Sequence, residues 1–85
     1  MSNKVLVTIK IPDIEKEYNV FLPINKKLGN ILYLLNKAIR ELNNNKEIFK
    51  QNTNNIYNLD TGKTYDLDKL LYETDIRNGS RLILI

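Results

Sequence analysis

The hydrophobic period of this chain changes partway along it, and that change limits the possible folds more than any other feature. From Lys4 to Ile11 the residues alternate, with Val5, Val7, Ile9 and Ile11 on one side and Lys4, Leu6, Thr8 and Lys10 on the other. A period of two with β-branched residues predicts a half-buried strand. Pro12-Asp13 breaks it, and a polar stretch relieved only by Ile14 leads to a second alternating run. There Tyr18, Val20 and Leu22 oppose Asn19 and Phe21, and Pro23 ends the run. Two such strands across a short polar loop form an antiparallel hairpin.

The period then becomes helical: Leu28, Ile31, Leu32, Leu35, Ile39 and Leu42 share one stripe, with Ala38 beside it. Asn25 is placed to cap the start, and Asn43-Asn44-Asn45 to end it. Gly29 costs a helix ~1 kcal/mol relative to Ala, which points to a close backbone approach, here to the sheet. From Asn43 to Asn55 the chain is polar and Asn-rich, and Ile48 and Phe49 are expected to pin this connection to the core. Ile56-Tyr57-Asn58-Leu59, a turn at Asp60-Thr61-Gly62-Lys63, and Thr64-Tyr65 predict a shorter hairpin. Its inward parity stays open, because Asn58 interrupts the alternation. Asp66 to Leu71 reads as a helical turn or a tight loop, and Asn78-Gly79 turns the chain into a last strand, Arg81 to Ile85. The order ββαβββ, with one helix on one face of a small mixed sheet of four to five strands, is an α+β roll spanning residues 1–85 as one domain.

Composition narrows the chemistry. The chain has no Cys, so it has no disulfide, thiolate nucleophile or cysteine-ligated zinc. It has no His, so the commonest general base and metal ligand is absent. An enzyme is therefore not expected, and no cofactor or metal. The net charge of +3 comes from thirteen basic and ten acidic residues that are interleaved. A nucleic-acid binder carries a basic stripe set with aromatics instead. The longest apolar run, Ile31 to Leu35, is far short of the roughly 20 residues of a membrane span. No signal-peptide pattern opens the chain, so a soluble cytoplasmic protein without direct membrane insertion is expected.

Three local patterns imitate functional motifs. Gly62-Lys63-Thr64 lacks the glycine a phosphate loop needs five positions earlier, where Tyr57 stands, and reads as a hairpin turn. Asp66 and Asp68, with Asp60 nearby, lack calcium-loop spacing and read as caps. Asn78-Gly79-Ser80 fits a glycosylation sequon but reads as a turn.

Three segments resemble the ubiquitin-like β-grasp family: the first hairpin with its helix, the Thr61-Gly62-Lys63 turn, and the ending from Leu70 to Leu84. That ending runs Leu71, Ile76, Asn78-Gly79 and then alternating Leu82 and Leu84. Within the family the chain resembles the YukD/EsaB group of type VII (WXG-type) secretion-associated proteins, in its length, in Tyr18-Asn19-Val20-Phe21-Leu22-Pro23 and in Ile76-Arg77-Asn78-Gly79. The resemblance implies that Leu71 and Ile76 plug the core and that the last strand pairs beside the first. It also implies a cytoplasmic adaptor whose partner is a protein, a secretion-system membrane component or ATPase, with no small-molecule substrate. Conjugated and sulfur-carrying relatives end in Gly-Gly. Leu82-Ile83-Leu84-Ile85 does not, which predicts a protein that is not conjugated.

With the helix on the side of Val7, Ile9 and Leu82, the opposite parity exposes Leu6, Phe21, Ile83 and Ile85. The implied strand order makes these a contiguous apolar patch rimmed by Lys4, Lys10 and Arg81, on the face through which ubiquitin-like relatives commonly bind. A wet apolar patch of this kind marks a partner-binding surface, and the partner could be a second copy of the chain. The alternative reading is a basic regulatory or nucleic-acid-associated β-grasp protein.

Overall fold

The structure, a computed structural model, describes residues 3–43 and 55–85. The expected loop contacts of Ile48 and Phe49, and the stop at Asn44-Asn45, lie outside the described residues. The elements are β1 (Lys4–Ile11), β2 (Lys16–Pro23), α1 (Leu28–Leu42), β3 (Ile56–Asn58) and β4 (Arg81–Leu84), with 3₁₀ turns at Pro12–Ile14 and Leu71–Glu73. The sheet order is β2-β1-β4-β3, with β1 and β4 parallel and the other pairs antiparallel. This is the expected mixed sheet, at four strands. The segment expected to add a fifth contributes only a bridge from Thr64 to Tyr57. Tyr65 then leaves the sheet edge, its hydroxyl donating to Asp75 Oδ1 at 2.8 Å and accepting from Asn58 Nδ2 at 3.2 Å.

The first hairpin follows its alternation. Val7, Ile9 and Ile11 are buried beneath α1, as are Leu82 and Leu84 of β4, whereas Tyr18 and Val20 on the edge strand are only partly buried. Pro12 occupies the first position of its 3₁₀ turn, where its missing N–H costs nothing. Glu15 closes that turn in the left-handed region at φ 51°. Leu28, Ile31, Leu32, Leu35 and Ile39 form the buried stripe of α1. Leu42, expected on the same stripe, is 67% exposed because it lies in the last turn, past the covered part of the helix.

The start of α1 departs from expectation. Its cap is Lys27, not Asn25, and no side chain caps it. The first helical N–H groups donate instead to main-chain carbonyls of a later loop: Leu28 to Lys69 O at 2.9 Å and Gly29 to Leu67 O at 2.8 Å. A tertiary contact thus supplies what a capping side chain would otherwise supply. The close approach at Gly29 is to that loop rather than the sheet, because an added Cβ would stand 3.2 Å from Leu67 O. Asn43 ends the helix as expected, its Nδ2 donating to Ile39 O at 2.8 Å.

Leu71 and Ile76 are both fully buried, as the resemblance implied. Beyond them the Asn78-Gly79 turn is stitched to the middle of β1. The Leu6 N–H donates to Asn78 Oδ1 at 2.7 Å, and the Gly79 N–H donates back to Leu6 O at 2.8 Å. Gly79 has φ +88°, a region glycine enters without strain. Both main-chain groups of Leu6 are therefore satisfied just before β4 begins its pairing with β1 at Thr8↔Arg81.

Candidate protein-binding face

The helix covers one face of the sheet, and the other face carries the predicted residues. Register places them row by row. Leu6 and Phe21 are direct cross-strand partners, 41% and 65% exposed. The next row is Asn19, Thr8 and Arg81, with the Thr8 hydroxyl donating to Asn19 Oδ1 at 2.8 Å. The row after that is Glu17, Lys10, Ile83 and Tyr57. Ile85 follows at the end of the chain, 56% exposed, its N–H donating to Asn55 O at 3.3 Å.

The expected contiguous patch is therefore two patches. The parallel register of β1 and β4 sets Ile83 opposite Lys10, four residues along β1 from Leu6, which is roughly 13 Å at ~3.3 Å per residue. The polar Thr8–Asn19–Arg81 row lies between. Leu6 and Phe21 form one apolar cluster with Lys4 at its margin, while Ile83 and Ile85 belong to another beside Lys10. Arg81, expected on the rim, sits centrally and is held by Asp60: its Nε donates to Asp60 Oδ1 at 3.1 Å and its Nη2 reaches the same oxygen. The guanidinium hydrogen bond holds the Asp60 carboxyl below its usual range, and the carboxylate in turn raises Arg81.

Two members of the second cluster were not foreseen. Tyr57 pairs with Ile83 on the outer face, and Leu59, whose N–H donates to Arg81 O at 2.8 Å, follows it. The signal was present in the Ile56–Leu59 alternation, whose parity is settled by Ile56 pairing with the buried Leu84. Asn58 interrupts the pattern because it shapes the next turn. Its Oδ1 accepts the N–H groups of Asp60 and Thr61 at 2.9 and 3.1 Å. Gly62 at φ +73° completes that turn, and no helix follows it, so Gly62-Lys63-Thr64 is a hairpin turn. Asp66 Oδ1 accepts the Asp68 N–H at 2.9 Å and shapes a turn rather than capping a helix, because the segment expected as a helical turn becomes 3₁₀ only at Leu71–Glu73. Beside the second cluster, a shallow groove of about 430 Å³ runs between Lys10, Pro12, Glu17, Leu59 and Ile83.

Solved structures share this fold. The ubiquitin-like domain of the Mycobacterium tuberculosis type VII secretion system protein EccD1 is similar with a TM-score of 0.73 and 16% identity, over 100% of this chain and 99% of that one. The fold is the ubiquitin-like β-grasp. A chain of the MycP5-free ESX-5 inner membrane complex is similar with a TM-score of 0.68 and 20% identity, over 99% of this chain and 21% of that one. This β-grasp chain thus spans about a fifth of that subunit. A chain of a toluene 4-monooxygenase HD complex shares the fold with a TM-score of 0.71 and 7% identity, over 95% of each chain. One architecture therefore serves secretion proteins and an enzyme complex, and function has to be argued from the surface. No protein-family model and no curated protein matches the chain. Among the described residues, no helix is long and apolar enough to cross a membrane.

Proposed function

We propose that this chain is a non-enzymatic protein-interaction module, a cytoplasmic accessory adaptor of a bacterial type VII secretion system that engages a membrane component or ATPase without covalent attachment. The observation that carries the reading is the outer sheet face, where Leu6 and Phe21 stand exposed and Ile83 and Tyr57 half-buried on a rigid sheet. Fully burying an exposed side chain of this size is worth about 1.5–3 kcal/mol, and a partner's groove would recover the share of it that each of these residues still forgoes. Lys4 and Lys10 border the two clusters and would set orientation. The likeness to type VII secretion domains supports the cellular setting. The placement of cations does not favour nucleic acid, since Arg81 pairs with Asp60 and Lys63 with Asp75 at 3.6 Å.

The test is a tagged pull-down from the native host with gentle and denaturing washes, repeated with Phe21→Asp and Ile83→Asp. Secretion-apparatus proteins retained only by the gentle wash, and lost with both folded variants, are the expected result. Retention through denaturation would refute non-covalent docking. Unchanged capture by the folded variants would refute the assignment of this face, and a wild-type capture that is only a second copy of the chain would refute the adaptor role.

A further inference from the structure

Charges that are interleaved along the sequence are sorted by the fold. Four segments distant in the chain meet at the end of the sheet where β1 begins, β2 finishes and α1 starts. The Ile24 N–H donates to Asn3 O at 2.9 Å, the Tyr72 N–H to Ile24 O at 3.0 Å and the Leu71 N–H to Lys26 O at 3.0 Å. Lys4 pairs with Pro23 across the hairpin, and Lys27 forms a bridge with Leu70. The Asn78-Gly79 turn joins the same end through its two bonds to Leu6.

These segments carry Lys4, Lys26, Lys27 and Arg77, all exposed. Lys26, Lys27 and Arg77 have no ion pair among the described residues. Of the neighbouring carboxylates, Glu73 accepts the Leu70 N–H at 2.9 Å, and Asp75 is held by Lys63 and Tyr65. Between the cations stand Leu6, Phe21 and Tyr72, which are 41%, 65% and 55% exposed. At the other end of β1, roughly 23 Å away at ~3.3 Å per residue, the hairpin turn exposes Asp13, Glu15 and Glu17 against Lys10 and Lys16. One end of the sheet is therefore basic and apolar, and the other is acidic.

We propose that the basic end is a membrane-contact surface that lies against a bilayer rich in anionic lipid. Phe21 and Leu6 would sit below the headgroups and Tyr72 at their level, while Lys26, Lys27 and Arg77 meet lipid phosphates with Lys4 alongside. Each cation at such a surface contributes about a fivefold factor in affinity. The acidic hairpin turn would face away, so the charge separation selects the orientation as well as the lipid. An acidic protein would meet the same cations, but it would need a shaped cavity for each apolar side chain, and these stand on a strand pair and a separate turn. A bilayer yields to them without one. Only side chains enter the lipid, so no spanning element is required. This inference goes beyond the adaptor reading. The two contacts share Leu6 and Phe21 and are alternatives at that cluster, which leaves Ile83 and Tyr57 to a protein partner while the chain is on lipid. Purified chain with lipid alone tests the membrane contact separately from the protein one.

The test is co-sedimentation of the full chain with vesicles of phosphatidylcholine, alone or with about 30% phosphatidylglycerol, at about 0.1 M salt. Expected is binding at least about tenfold tighter to the anionic vesicles, weakening as salt is raised. Lys26→Gln should weaken it about fivefold. Lys37→Gln, which removes an equal charge from the exposed side of α1, should change it less than about twofold. The chain has no Trp, so Phe21→Trp supplies a single reporter whose emission should shift to the blue on anionic vesicles. Tyr33→Trp, at a position 68% exposed on α1, should not shift. Leu6→Trp serves if Phe21→Trp does not fold. Absence of binding, equal binding to both vesicles, or a Lys37→Gln loss as large as that of Lys26→Gln would each overturn the proposal. So would a reporter at Phe21 that saturating vesicles leave unmoved, or polyglutamate bound as tightly as the anionic vesicles.

Discussion

The stitch between the Asn78-Gly79 turn and Leu6 is open to a quantitative test. Asn78→Ala removes the acceptor of the Leu6 N–H, a 2.7 Å bond that joins positions 72 residues apart, and leaves the Gly79-to-Leu6 bond in place. A net intramolecular hydrogen bond is worth about 0.5–1.5 kcal/mol, and leaving a buried donor unmade costs more, about 1–3 kcal/mol. Leu6 is 41% exposed, so water can reach the freed N–H and the lower range applies. For a domain of this size, that loss corresponds to a fall in Tm of about 2–10 °C. Asn78→Asp keeps an oxygen at the same place and should retain most of the stability above pH 5. Thermal and urea unfolding by circular dichroism would measure both variants. Hydrogen exchange at the Leu6 amide would localise the effect, with faster exchange expected in Asn78→Ala alone. A stability of Asn78→Ala within about 0.3 kcal/mol of the parent, with Leu6 exchange unchanged, would refute the view that this side chain holds β1 to the loop.

Other consequences follow from the same structure. Leu71→Ala empties a fully buried site and should cost about 2–5 kcal/mol, a large part of the ~4–13 kcal/mol expected for a domain of this length, measurable by urea unfolding. Glu15→Gly relieves a side chain held at φ 51° and should raise stability by up to about 1 kcal/mol, less the added entropy of glycine in the unfolded chain, read as a higher urea midpoint. Asp60 is lowered chiefly by its hydrogen bond to Arg81, and Asp75 chiefly by that from Tyr65 with Lys63 adding to it. Groups lowered on folding stabilise above their unfolded value, near 3.8, and lose that contribution as pH falls through the folded values. A pH series of unfolding midpoints should therefore show a loss below about pH 4, diminished in Asp60→Asn and in Asp75→Asn.

The residues that announced the fold are those whose neighbours are close in sequence. The alternation from Val5 to Ile11 and the stripe from Leu28 to Ile39 each report a local period, and that period decides which side must leave water. The Asn78-Gly79 turn was legible for the same reason, since a turn is a short-range feature, whereas the burial of Leu71 and Ile76 is a tertiary contact that only the family resemblance implied. Asn25 misled because capping preference is local, whereas the start of α1 is satisfied by carbonyls from Leu67 and Lys69, some forty residues later. Tyr57 and Leu59 were hidden because a three-residue strand carries too few alternations to reveal its parity, and Asn58 is committed to a turn.

The binding face divides along the same line. That Leu6, Phe21, Ile83 and Arg81 point away from the core follows from parity within their own strands, and the amino-acid order alone determined it. Whether they touch is a matter of register between β1 and β4, strands separated by most of the chain. Only the packed structure decided that, through the Asn78-Gly79 stitch that aligns Thr8 with Arg81 and so sets Leu6 two rows from Ile83. The edge position of β2 was implied by the resemblance and not by its residues: an unpaired strand and a paired one can carry the same alternation, and the order β2-β1-β4-β3 is what leaves one side of β2 unpaired among the described residues.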